Sequence, residues 1–167
     1  MATSTELPTL KELEDTDVDF LNTVSGARQA VKAELLRMLN SCFAEYAQLF
    51  VYKHLSGKSI QIDYTPEWQS AYVPEAARPI STINSADLPY ISAVDLLAFK
   101  INTCGMRPTV SKKTQDALNA MAIAENILAQ GPIVLTNVQK EAARAGIEDV
   151  ATWSKRHSTW WNQNLQL

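Results

Sequence analysis

The sequence predicts an α+β domain in which a small, mostly antiparallel sheet packs on helices and the C-terminal third is helical. Two observations carry this reading. Short runs with period-two alternation fall before residue 65, whereas capped segments with apolar residues at helical spacing dominate after residue 92. The 167 residues are 46% apolar and 20% charged, a balance suited to one hydrophobic core. The expected organisation is a polar segment at 1–14 and a single domain over 15–167.

Taken in order, DTDVDFL alternates acidic and apolar positions, so Asp17 and Asp19 would project from one strand face while Val18 and Phe20 enter the core. Ala27, Val31, Leu35, Met38, Leu39, Cys42, Phe43 and Tyr46 recur at helical spacing, which predicts a helix over Ser25 to Ala47. Leu49 to Leu55 and Ser59 to Tyr64 read as strands joined in a hairpin by Ser-Gly-Lys at 56–58. On the second strand Ile60, Ile62 and Tyr64 share one face, leaving Gln61 and Asp63 on the other. Pro66, Pro74, Pro79 and Pro89 punctuate the connector, with short strands expected near Ile80 to Ile83.

Ser92 opens a helix that Gly105 ends. A second helix runs from about Lys112 to Gln130, with Leu118, Met121, Ala122, Glu125 and Leu128 along one, mostly core, side. Thr136 to Gln139 opens a third that ends near Gly146, and Ile147 to Arg156 forms a fourth before Trp160 and Trp161.

Fifteen Lys and Arg against eighteen Asp and Glu give a net charge of -3, which argues against a nucleic-acid partner. No secretory signal and no apolar run of spanning length occurs, so a cytoplasmic protein without a membrane partner is expected. Cys42 and Cys104 read as small hydrophobes rather than ligands or nucleophiles. His54 and His157 are too poorly accompanied for a zinc site.

Two constellations carry chemistry. Asp17, Asp19 and Asp63 would converge if their strands are neighbours, and three carboxylates that raise one another's pKa form a natural seat for Mg2+. The plainer reading is that they are charges guarding exposed strands. Lys100, Arg107, Lys112 and Lys113 gather around the Gly105 turn, where a phosphate or carboxylate would be held, or where they simply solvate a loop. Lys100 stands apart because its helix is otherwise apolar. Its ammonium needs an anion, and Lys100→Met is expected to fold with near-normal stability while losing ligand.

The run IQIDYTPEWQSAYVPEAA, followed by LPYISAVDLLAFKINTCGMRP and KKTQDALNA, resembles fungal proteins with a nucleotidyltransferase-like fold, over roughly Thr16 to Trp161. The resemblance implies Mg-dependent nucleotidyl transfer to an acceptor, with Asp17, Asp19 and Asp63 as catalytic metal ligands. It matches Lys100, Arg107, Lys113 and Asp116 to a substrate-binding series on later helices. The chain departs from that pattern in lacking a Gly-Ser before the D-x-D, where the triphosphate is gripped. The segment ELPTLKELED has no glycine and is too short for a full strand plus that helix, so a shortened sheet is expected, its gap covered either by Leu7 to Leu13 or by a second copy of the chain. The departure favours an alternative: a repurposed fold that binds or converts a small organic metabolite without nucleotide.

A third reading is a non-catalytic interaction module. In NVQKEAARAGIEDVATWSKRH, two helices around Gly146 would mimic a helix-turn-helix with Lys155, Arg156 and His157 as its basic end. Glu141, Glu148 and Asp149 oppose phosphate binding there, and Trp153, Trp160 and Trp161 read as packing anchors. Trp68, Tyr72 and Tyr90 would line a pocket for a planar ligand or else clamp the proline-rich connector.

Overall fold

The alternating residues from 49 to 66 pair as antiparallel strands in the computed structural model, which describes residues 18–22, 27–47, 49–78, 82 and 90–167. Two units divide the chain, Met1–Ser70 and Ala71–Leu167. The first contains β1 (Val18–Asn22), α1 (Ala27–Arg37), β2 (Phe43–Tyr46), β3 (Leu49–Lys53), β4 (Ser59–Pro66) and a 3-10 turn at Glu67–Gln69. The strand order is β1-β4-β3-β2; the last three are antiparallel, whereas β1 joins β4 in parallel. The β3–β4 hairpin forms as expected. His54 N–H donates to the Lys58 carbonyl, and Gly57 takes a φ of 84°, a left-handed conformation open to a residue without a Cβ.

Phe50 and Val51 are successive residues of β3 and both are buried, so this strand is covered on both faces. Phe43 stacks on Phe50 at 5.4 Å between ring centres, and Phe50 meets Tyr64 at 6.0 Å. Lys32 of α1 is buried and its ammonium lies 5.2 Å from the centre of the Phe50 ring.

The helix expected over Ser25 to Ala47 is shorter, and its second half is a strand. Ser41 Oγ donates to the Leu35 carbonyl at 2.6 Å and accepts from Phe43 N–H at 3.1 Å, while Asn40 turns left-handed at φ 56°. This local bonding ends the helix at Arg37 and releases Phe43 and Tyr46 to pair with Tyr52 and Leu49. Aromatic residues three apart share a helix face but fall on opposite faces of a strand, so the spacing points to a helix and cross-strand packing overrides it here. The expected helix start at Ser25 and the substitute strand at Leu7 to Leu13 lie outside the described residues. So do the strands near Ile80 to Ile83, apart from Thr82.

The second unit is helical: α2 (Ala93–Cys104), α3 (Val110–Leu128), α4 (Asn137–Ser154) and α5 (Ser158–Leu165). Ser92, Thr109 and Thr136 cap the first three by accepting backbone N–H bonds, and Thr136 and Gln139 form a reciprocal capping box. Leu97, Ile101, Cys104, Val150, Trp161 and Leu165 are fully buried in its core. The fully buried apolar stripe of α3 is Ala117, Ala120 and Ala124; of the side expected to be core, Met121 and Leu128 pack half-buried against it, whereas Leu118, Ala122 and Glu125 are exposed. Small side chains let α3 approach its neighbours closely.

Gly146 does not end a helix; α4 runs unbroken through it. A Cβ there would overlap the Ile101 carbonyl, so the glycine serves the α2–α4 contact, and no helix-turn-helix exists at this position. Gly105 likewise keeps right-handed geometry, at φ -68°, and a Cβ there would overlap the Asp149 carboxylate. Among the described residues no helix is long and apolar enough to cross a membrane.

Candidate functional site

The strand pairing sets Asp19 level with Asp63. β1 and β4 run in parallel with Val18 opposite Ile62, Asp19 opposite Asp63 and Phe20 opposite Tyr64. Positions paired in this way share a sheet face, so two acidic residues of the D-x-D…D set are register neighbours. Asp17 lies outside the described residues. Asp63 is half-buried, and its Oδ2 accepts a hydrogen bond from Gln61 Nε2 at 2.9 Å, from two residues earlier on the same face. That bond orients the carboxylate. Among the described residues no group of three His, Cys, Asp or Glu side chains stands ready to hold a metal.

The remaining expected site residues lie in the helical unit, where Asp116 brings two of them, Lys100 and Arg107, together. It is buried on α3, and Lys100 Nζ from α2 donates to its Oδ1 at 3.0 Å. Arg107 Nε, from the loop after α2, donates to its Oδ2. Burial pushes the Asp116 carboxyl up, but the hydrogen bonds and charges of Arg107 and Lys100 outweigh this and hold it below the ordinary value of 3.8. The anion that Lys100 requires is therefore Asp116, supplied by the next helix. Lys113 lies one turn before Asp116, with its ammonium 6.0 Å from the centre of the Trp153 ring. Its carbonyl accepts from Cys104 Sγ at 3.3 Å. Burial, Asp149 and Asp116 raise the Cys104 thiol to about 11, so it stays protonated at neutral pH and is a poor nucleophile. Lys112 is exposed at the start of α3.

A second buried carboxylate had been legible only as part of a helix start. Asp95 Oδ1 accepts from Tyr72 Oη at 2.9 Å and from Gln139 Nε2 at 2.7 Å, and its Oδ2 accepts from Ser92 Oγ at 2.7 Å. All three donors are neutral. Tyr72 also stacks on Phe99 at 4.7 Å, and its hydroxyl is strongly raised by burial and by Asp95. Tyr72 thus clamps the connector onto α2, while Trp68 and Tyr90 are exposed. The pattern S-x-x-D signalled the cap; partners 23 and 44 residues distant gave no local signal.

Comparison of the chain with protein-family models, with curated proteins and with solved structures finds no match.

Proposed function

We propose that the chain is a divergent nucleotidyltransferase-like protein whose sheet binds a hard divalent cation through Asp19 and Asp63, with Asp17 as the third ligand. The observation that carries this reading is the parallel β1–β4 register, with Asp19 opposite Asp63. Like charges on directly opposed strand positions destabilise a sheet unless a cation offsets them, and paired carboxylate oxygens suit Mg2+ rather than a soft metal. The metal, when bound, would polarise a phosphate and lower the charge repulsion against attack at the α-phosphorus. Gln61 orients Asp63 in this reading.

A second reading is favoured by the helical unit. Lys100 and Arg107 already neutralise Asp116, which leaves less positive charge for a triphosphate than two unpaired cations would. That supports the repurposed fold, in which a small organic metabolite is bound or converted without nucleotide.

Thermal unfolding with and without Mg2+ separates the two. A cation that binds only the folded state stabilises it by about 2.7 kcal/mol at a hundredfold excess over Kd. The expected result is a melting temperature raised by Mg2+ in the natural chain and unmoved in Asp63→Asn, with calorimetry then detecting nucleoside triphosphate in the metal's presence. An unchanged wild-type melting curve would overturn the metal reading.

A further inference from the structure

We propose that the end of the sheet carrying Leu39 and Leu55 is a peripheral contact site for an anionic lipid surface. Both side chains project into solvent, at 93% and 95% exposure, and Met38 beside Leu39 is also exposed. They lie on two loops that emerge at one end of the sheet. Residues 38–41 lead into β2 and residues 54–58 follow β3, and Lys53 N–H ties the two by donating to the Cys42 carbonyl at 2.7 Å.

Along the described segments that form this end the charge is one-sided, although the chain as a whole is net negative. Lys53 and Lys58 flank Leu55, neither 35–44 nor 46–62 contains an Asp or Glu, and 32–62 as a whole holds four Lys and Arg against two Glu. The acids nearest in sequence have partners, Glu34 with Arg37 at 3.4 Å and Glu45 with Lys32 at 3.9 Å, so Lys53 and Lys58 carry the surplus. Lys53 also rests over the Tyr46 ring at 5.4 Å, which keeps its charge. His54 Nδ1 is bonded to Ser56.

Protruding leucines with cations behind them suit a headgroup layer, into which apolar tips insert while Lys and Arg meet the phosphates. A flat protein surface would need a matching pocket for each tip. The expectation of no membrane partner rested on the absence of a spanning segment, and a peripheral contact requires none. The proposal is independent of the metal reading, since it uses none of the aspartates.

The test is co-sedimentation of the full chain with phosphatidylcholine vesicles, with and without phosphatidylserine, at low and high salt. Cys42 is exposed and Cys104 buried, so an environment-sensitive dye on Cys42 reports insertion at this end. Binding only to the phosphatidylserine vesicles, weakened by salt, with a blue-shifted dye is expected. Leu39→Ser with Leu55→Ser should lower partitioning at least tenfold, and Lys58→Ala about fivefold, with an unchanged melting curve for each. No binding to anionic vesicles at low salt overturns the proposal. So does binding undiminished by the leucine variants. Self-association abolished by those variants, without vesicle binding, would instead make this end a contact between copies of the chain.

Discussion

Gly146 of α4 lies against the backbone carbonyl of Ile101 on α2, and the contact leaves no room for a Cβ. In an exposed helix, Gly→Ala would stabilise by up to about 1 kcal/mol through propensity. Here it must force apart two backbones, which have no flexible end to yield. Gly146→Ala should therefore destabilise, by roughly 1–3 kcal/mol net of that gain, as read from denaturant unfolding. A more stable variant would show that the α2–α4 contact is looser than described.

Lys100 and Asp116 give a second expectation. Lys100→Met was expected from sequence to fold with near-normal stability, because only a ligand would miss the charge. With Asp116 as its partner, the variant leaves a buried carboxylate held by Arg107 alone. Full loss of a buried pair costs about 3–5 kcal/mol, but Lys100 is 24% exposed and Arg107 remains, so about 1–2 kcal/mol is expected. The double variant Lys100→Met with Asp116→Asn should lose less than the sum of the single changes.

What the sequence made legible was local, and what it concealed was set by distant partners. Ser92 and the Thr136–Gln139 pair could be read as helix starts because a cap and the backbone N–H that donates to it lie within one turn. Gly146 could not be read, since a glycine that breaks a helix and one that admits a neighbouring backbone look alike in one dimension. The same holds for the alanine stripe of α3, whose small size matters only against its neighbours. Lys100 and Asp116 were both singled out, yet their pairing follows from how α2 and α3 cross. Asp19 and Asp63 were assigned to strands from alternation alone, and their register depends on β1 joining β4 in parallel, which alternation does not encode.

The two thiols should react very differently. Cys42 is exposed, whereas Cys104 is buried, donates to the Lys113 carbonyl and has its pKa raised to about 11. A disulfide reagent at pH 8 should modify one thiol promptly in the folded chain and both in denaturant. Rapid modification of two thiols under native conditions would show that the α2–α3 junction opens readily.

Asp116 makes the stability of the helical unit depend on pH in a direction that its partners fix. Its carboxyl titrates below 3.8 when folded, because Arg107 and Lys100 outweigh the effect of burial, while the unfolded chain restores the ordinary value. Below that value the unfolded state binds the proton more readily than the folded state. Acid therefore favours unfolding through this group. The stabilisation is complete above about pH 5, begins to fade as pH falls past the unfolded pKa, and is gone below the folded one. Asp116→Asn removes the titrating group, so the gap in melting temperature between the natural chain and this variant should be constant from pH 5 to 7. It should narrow steadily from pH 4 to 2. A gap that widens in acid would mean that burial dominates at Asp116 and that Lys100 and Arg107 do not hold it ionised.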